Sequence, residues 1–244
     1  MRTFFLPADK WKEPYRLEGR EAKHLRTVVR VHAGESIRLL DGEGREGIFT
    51  VRHIEKHAVV LEATGEKMLD APAGRATLAL GYTRSIRRSW LMEKAVELEA
   101  EALWLWQADH SQGKIPAENK ETWFSQMRAG AKQSNNPWLP GLRCFPGGVH
   151  DLAAVREGFS RAFLLLEQES CASVLQYTDL DPLGKTLFVL GPEGGFSNRE
   201  ITVLRDSGFM PASLGRRVLR WETAALLCLG LSWWVRQQHE EAHA

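Results

Sequence analysis

Two loops toward the C-terminal end carry the residue types from which a ligand site is built. The first, Gly191-Pro192-Glu193-Gly194-Gly195-Phe196-Ser197, follows the apolar run 186–190 directly. An apolar run that stops at glycine predicts a buried, parallel-type strand ending in a tight turn. In open α/β sheets ligands sit beyond the carboxyl ends of strands, and glycine lets a ligand approach the main chain. The second loop, Leu214-Gly215-Arg216-Arg217-Val218-Leu219-Arg220, runs into Trp221-Glu222-Thr223-Ala224-Ala225 at the head of an apolar helical stretch. Its arginines are either surface charge or holders of a phosphate or a substrate base. Glu222 suits the positive end of the helix it opens. Glu193, in mid-loop, is either a solvated carboxylate or a site residue. Neither loop reads GxGxxG, and no Lys-Ser/Thr follows the first, which argues against dinucleotide and nucleoside-triphosphate ligands. Ser197 and Glu200 match a capping box and need no further duty.

Basic residues gather in two other places. Arg20, Lys23, His24, Arg26 and Arg30 lie within eleven residues, and Arg84, Arg87, Arg88 and Lys94 form a second group. On a helix and its exit Lys23, Arg26 and Arg30 are three and four residues apart and would share a face. That face is either simply solvated or a patch that tracks phosphates. His239-Glu240-Glu241-Ala242-His243 spells HExxH but has no third ligand after it, so no metal site is expected. No Gly-x-Ser-x-Gly and no Cys/His nucleophile pattern occurs. Trp104, Trp106, Trp123, Trp233 and Trp234 read as core or interface, and the adjacent pair on the closing helix points to a subunit contact.

The elements that must hold these loops fall into two sets. Over 1–70 the pattern is β-rich: a strand at 3–5, a helix at 21–29, and strands at 36–40, 47–54 and 58–63, the first two of these joined by Asp41-Gly42-Glu43-Gly44. Asp-Gly between alternating runs is a hairpin signal, and short strands at this spacing suggest a small barrel. Residues 65–74 read as a linker. From 74 to 244 strands and helices alternate: strands at 77–80, 103–106, 142–145, 162–166 and 187–190, helices at 89–101, 120–133, 198–207 and 222–238. That alternation predicts an α/β domain with a largely parallel sheet. With 244 residues and a net charge of +1, nucleic-acid binding would need a local patch. No apolar run reaches the roughly 20 residues of a membrane span. Cys144, Cys171 and Cys228 are dispersed, as in reduced cytoplasmic proteins.

The two loops together resemble a known family. "LFVLGPEGGFSNREI" followed by "LGRRVLRWETAALLCL" is similar to the paired signature of RsmE-type 16S rRNA methyltransferases of the SPOUT superfamily. "HLRTVVRVHAGESIRLLDGEG" resembles that family's PUA-like RNA-binding barrel. "RSWLMEKAVELEA" and "GAKQSNNPWLPGL" resemble two further family segments. The resemblance implies a SPOUT domain with a trefoil knot over about 164–230, S-adenosylmethionine as cofactor, and a homodimer whose sites are completed by the partner. The implied partner is 16S rRNA of the small ribosomal subunit, and the reaction is methyl transfer to uracil N3. Cofactor contacts are implied for Leu166, Leu190, Gly191, Gly195, Leu214, Leu219, Thr223 and Ala224. Catalytic roles are expected for Arg220, Glu193 and Glu222, which fall in the matching loops, and RNA contacts are expected for the basic residues Arg20, Lys23, His24, Arg26, Arg30, Arg84, Arg88 and Lys94. Neither a metal nor a membrane is implied. Four departures stand out: Trp221 where a small or Thr-like residue is usual, Glu99 in place of a Gly, Lys132 and Asn136 in place of Glu and Arg, and no arginine over 107–113.

Uracil N3–H is a weak acid, so its methylation needs proton removal or a cation beside the developing anion. Arg220 is expected to stabilise that charge, with Glu193 or Glu222 orienting Arg220 or accepting the proton. Ribose 2′-O methylation and a catalytically silent rRNA-binding assembly factor are the alternatives.

Overall fold

The computed structural model describes residues 1–84, 87–167 and 172–243. Cys171 lies outside them. The chain divides into two compact units, Met1–Ala71 with Arg128–Leu139, and Pro72–Met127 with the chain from Pro140 onward.

The first unit contains β1 (Thr3–Phe5), β2 (Tyr15–Glu18), α1 (Gly19–Lys23), β3 (Ser36–Leu40), β4 (Arg45–Ile54) and β5 (Ala58–Met68). They form a mixed sheet ordered β1-β3-β4-β5-β2. β1 runs parallel to β3, and every other pair is antiparallel. Phe4, Leu17, Leu25, Leu39, Phe49 and Val59 fill its core. Asp41 makes the β3–β4 turn, as its sequence suggests: its Oδ1 accepts from the backbone N–H of Glu43 (2.7 Å) and Arg45 (2.9 Å). The same turn is tied to the 128–139 stretch, with Gly44 N donating to Pro137 O (3.0 Å) and Leu139 N to Gly42 O (2.9 Å).

Three details differ from the sequence reading. The helix expected at 21–29 is α only over Gly19–Lys23 and widens to a π-helix over His24–Val29, ending at Arg30 with φ 55. The wider turn breaks the i, i+3 and i+4 spacing and the chain turns left-handed at Arg30, so Lys23, Arg26 and Arg30 do not form the expected single stripe. The expected linker begins inside β5, whose last residues pair with Arg45, Glu46 and Gly47. That ribbon end is exposed and polar, so no apolar alternation marks it. β2 buries only Leu17, too little to signal a strand.

The second unit is a seven-stranded sheet, parallel throughout, ordered β10-β12-β9-β11-β6-β7-β8. In chain order it runs β6 (Ala76–Gly81), α2 (Arg87–Glu97), β7 (Ala102–Trp106), α3 (Glu121–Ser134), β8 (Gly141–Phe145), α4 (Val149–Ala154), β9 (Arg161–Leu165), β10 (Ser173–Val174), β11 (Thr186–Leu190), α5 (Asn198–Asp206), β12 (Met210–Ser213) and α6 (Trp221–His243). α3 extends beyond this unit, its last residues belonging to the first. β11 lies between β9 and β6 and is buried along its whole length, which accounts for its unbroken apolar sequence. Leu187 and Val189 share a core cluster with Leu152 of α4 and Leu204 of α5. α6 packs on β6 and β11, and α2 packs on α6. β12 escapes the sequence reading because Pro211 stands in a four-residue strand, and proline argues against an interior strand.

Candidate functional site

β11 and β12, the two strands that flank β9, deliver the two loops to the carboxyl edge of the sheet. The glycine turn after β11 folds on itself, with Gly195 N donating to Pro192 O (2.8 Å) and Gly195 at φ 72. A Cβ on Gly191 would lie 3.1 Å from Gly195 C and from the Phe196 ring. Gly81, at the end of β6, is tighter still: a Cβ there would meet Pro192 N at 2.4 Å. Glycine at both places lets the turn lie flat on its neighbour. Behind it, Trp106 donates its indole N–H to Leu190 O (3.2 Å) and stacks on Phe196, ring centroids 5.7 Å apart. Trp106 is thus a core strut.

The turn, the loop 214–220 and the start of α6 enclose a cavity of about 430 Å³. This is within the range for small-molecule sites. Leu166, Leu190, Leu214, Leu219, Ile201 and Ala224 give it apolar walls, and Gly191, Gly195 and Gly215 line it with main chain. Glu193 and Arg220, both exposed, also line it. Of the residues singled out in the sequence, Leu166, Leu190, Gly191, Gly195, Leu214, Leu219, Ala224, Glu193 and Arg220 come together here. Thr223 and Glu222 do not line it: Thr223 is exposed, and Glu222 is buried and ion-paired with Arg87 at the head of α2. Burial pushes the Glu222 carboxyl up, but the hydrogen bond from Arg87, its own backbone and the charges of Arg87 and Arg220 outweigh it and hold the group below the usual glutamate range. Trp221 forms part of the wall and is 8% exposed, with its indole N–H lacking a hydrogen-bond partner among the described residues.

A third segment, the loop after β7, is bolted to the glycine turn. Glu200 is fully buried and accepts from Asp109 N (2.7 Å) and Ser197 N (2.8 Å). Ser197 Oγ accepts from Glu200 N (3.2 Å) and donates to Asp109 Oδ2 (2.6 Å), and Arg199 donates to Asp109 Oδ1 (2.7 Å). The capping box is therefore present, and it also anchors Asp109, which the sequence reading did not foresee. The hydrogen bonds from Arg199 and Ser197 hold the Asp109 carboxyl below the usual aspartate range. His110 Nδ1 lies 3.0 Å from Gly194 O, and Gln112 Nε2 donates to Glu193 Oε2 (3.3 Å). Gly81, Asp109, His110 and Gln112 were missed because partners 81 or more residues away leave no local pattern. Only the stop of an apolar strand at Gly81 was there to be read.

The basic residues separate. In the first unit Arg20, Lys23, His24 and Arg30 are exposed, and Arg26 is half-buried and donates to Lys56 O. In the second unit Arg84 is exposed. Arg88, expected to face RNA, is instead buried, donating to Thr83 O with its guanidinium 4.8 Å from the Tyr82 ring centroid and 5.6 Å from that of Trp123. Its apolar i+3 and i+4 neighbours, Leu91 and Met92, carry it into the core side of α2. Lys94 is paired with Glu97 (2.7 Å) on the same helix. Among the described residues no cluster of three or more His, Cys, Asp or Glu could hold a metal ion, and no helix is long and apolar enough to cross a membrane.

Residues 70–233 match the family described as RNA methyltransferase domain, and residues 17–64 the family described as RNA methyltransferase PUA domain. Ribosomal RNA small subunit methyltransferase E of Mycobacterium bovis is 29% identical over 222 residues, covering 88% of this chain and 84% of that protein. The fold is shared with the probable rRNA methyltransferase of Porphyromonas gingivalis (TM-score 0.86, 24% identity, 98% of this chain and 100% of that one). It is shared too with ribosomal RNA small subunit methyltransferase E of Neisseria gonorrhoeae bound to S-adenosyl methionine (TM-score 0.77, 24% identity, 94% and 95%). With two loops closing one cavity at the ends of a parallel sheet, and a family match over most of its length, the chain belongs to the RNA methyltransferase family, with an RNA methyltransferase PUA domain ahead of the catalytic one.

Proposed function

We propose that the protein methylates N3 of one uridine in the 16S rRNA of the small ribosomal subunit, in the cytoplasm, using S-adenosylmethionine. One observation carries the reading: the glycine turn and the loop 214–220 close a cavity with apolar walls, main-chain lining and two arginines and two glutamates, Arg220 and Glu193 among them. The cavity fits the cofactor. Its lining leaves the main chain of Gly191, Gly195 and Gly215 open to a ligand, and the leucines offer an apolar bed for the adenine. Leu166, Leu190, Leu214, Leu219 and Ala224, with the main chain of Gly191 and Gly195, would hold it. When bound, S-adenosylmethionine supplies an electrophilic methyl carried on a positive sulfonium.

The chain's own residues then have two tasks. They hold the base in line and exclude water, which converts an encounter into an oriented reaction. They also manage the N3 proton and the charge its loss leaves. Arg220 faces the negative charge that develops on a uracil carbonyl oxygen. Glu193, exposed on the rim, accepts the N3 proton, while Glu222 is engaged by Arg87. N3 lies on the Watson–Crick edge, so the target base must be unpaired or extruded. The first unit, with Arg20, Lys23, His24 and Arg30 exposed, positions the RNA through its phosphates.

The reading includes a trefoil knot over about 164–230, a boundary near residues 70–74 between the RNA-positioning and catalytic domains, and a homodimer in which the partner completes each site. α6 supports the dimer: Thr223, Leu227 and Trp234 are exposed along one stripe, and Gly230 between them opens onto empty space. The test is nucleoside mass analysis of 16S rRNA from a strain lacking the protein, with and without rescue. Loss and return of 3-methyluridine supports the reading; a 2′-O-methyl nucleoside in its place, or no change, overturns it.

A further inference from the structure

We propose that Gln112, Glu193 and Arg220 together read the Watson–Crick edge of the target base, and that Gln112 selects uracil over cytosine. The inference rests on the uracil-N3 reading above. The edge of uracil presents acceptor, donor, acceptor: O2, N3–H, O4. A complementary protein edge presents donor, acceptor, donor. Glu193 is acceptor-only as a carboxylate, and Arg220 is donor-only. Both line the cavity. Gln112 supplies the missing donor, since its Nε2 lies 3.3 Å from Glu193 Oε2. A carboxylate accepts only from the NH₂ end of an amide, which fixes which way Gln112 is turned. One of its two N–H groups holds Glu193, and the other is left for a base oxygen beside N3.

The loop that carries Gln112 is built to hold it still. Gln107 closes the loop on itself, its Nε2 donating to Gly113 O (3.1 Å) and its Oε1 accepting from Ile115 N (2.9 Å). Ser111 Oγ accepts from Ala108 N (2.9 Å), and Ser111 N donates to Ala108 O (3.1 Å). Asp109 and His110 then fix the loop to α5 and to the glycine turn. A side chain on such a loop is positioned before the base arrives, so little ordering remains to be done on binding. Long loops of this kind between a strand and a helix usually carry function.

Cytosine meets this edge badly at two points. Its N4–H₂ donor would face the Gln112 donor, and its N3 lone pair would face the Glu193 carboxylate. A polar site left with unpaired donors and acceptors rejects a misfit base far more strongly than an apolar pocket does.

The experiment uses the full-length protein and small-subunit particles from the deletion strain, with uridine or cytidine at the methylated position. Single-turnover rates, product nucleosides and calorimetric S-adenosylmethionine affinity are measured for wild type, Gln112→Met and Gln112→Glu. Gln112→Met, equal in length but without the donor, is expected to lose about tenfold or more with uridine, leave cytidine near its wild-type rate, and so narrow the preference by the same factor. Gln112→Glu is expected to lose more, because it sets a second carboxylate beside Glu193. Cofactor affinity should stay within about threefold in both variants, because Gln112 does not line the cavity. If both variants keep the wild-type rate and preference, the inference falls. It also falls if cofactor affinity drops in step with rate, since Gln112 would then only hold the loop. If wild type itself yields no 3-methyluridine, the uracil-N3 reading fails instead.

Discussion

Arg87 and Glu222 are 135 residues apart in the chain, yet the guanidinium of one is hydrogen-bonded to the carboxylate of the other. The pair joins the start of α2 to the first turn of α6, immediately after Arg220. A carboxylate so held is a poor proton acceptor. Glu193→Gln should therefore cost about 100-fold or more in methyl transfer, while Glu222→Gln should retain most of it. The Glu222 loss should instead appear in stability, at about 1 kcal/mol because Arg87 is half exposed. Single-turnover methylation and urea melts on both variants separate the roles. A Glu222→Gln protein that melts normally but transfers no better than Glu193→Gln would make Glu222 the acceptor.

Glu99, one of the departures from the resembling family, stands at φ 54, where glycine is the unstrained residue. Its carboxylate is ion-paired with Arg236, which is 5% exposed and also held by Glu240 at 2.6 Å. The backbone strain is thus offset by satisfying a buried cation. In wild type, Glu99→Gly should destabilise by about 1–2 kcal/mol, since a buried charge loses one partner. In an Arg236→Met background the same change should stabilise by about 0.5–1 kcal/mol, as only the strain remains. A double-mutant cycle by urea denaturation measures the coupling, and additive effects would show that the pair does not offset the strain.

How far the sequence carries can be judged from such residues. β11 was legible because a strand buried on both faces must be apolar throughout. The Asp41 turn was legible because Asx chemistry is local. β12 was not, because Pro211 masks a short strand whose stability comes from its neighbours β9 and β10. Arg88 was counted with the exposed cations because its type says surface, whereas its position on α2 puts it under Tyr82 and Trp123. At the site, the two loops could be read as ligand-binding. That Glu193 reaches the cavity and Glu222 turns to Arg87 could not, because long-range ion pairs have no sequence period. The loop after β7 carried no motif, and its hold on the glycine turn comes entirely from Asp109, His110 and Gln112 meeting partners in α5 and the turn.

Asp109 gives the site a pH signature. Its carboxyl is held below the ordinary aspartate value by the hydrogen bonds from Arg199 and Ser197. A depressed folded value means the contribution to stability is complete above the unfolded value of about 3.9 and fades as pH falls through the lower folded value. Asp109→Asn should therefore be less stable than wild type at pH 7, and the gap should close progressively below about pH 4. Thermal melts of both proteins from pH 7 to pH 3 test this. A gap that is constant over that range would mean Asp109 contributes by packing and not by charge.

The α6 stripe sets the last expectation. Thr223, Leu227, Gly230 and Trp234 are spaced by four, three and four residues, so they lie on one face of the helix. Leu227 is 38% and Trp234 56% exposed, an apolar display at odds with a helix facing only water. Gly230 would let a second helix approach closely, as nothing lies within 4 Å of a Cβ built there. A partner on this face would sit beside Thr223, on the first turn of α6 and next to the cavity wall at Trp221 and Ala224. Trp234→Glu combined with Leu227→Glu should then convert the proposed dimer to a monomer in sedimentation velocity, because two charges in an interface core have no partner. If the partner completes the site, S-adenosylmethionine affinity should fall with dissociation and recover at protein concentrations that restore the dimer. A double variant that stays dimeric would move the interface elsewhere, and a monomer with undiminished cofactor affinity would show that one chain suffices for the cavity.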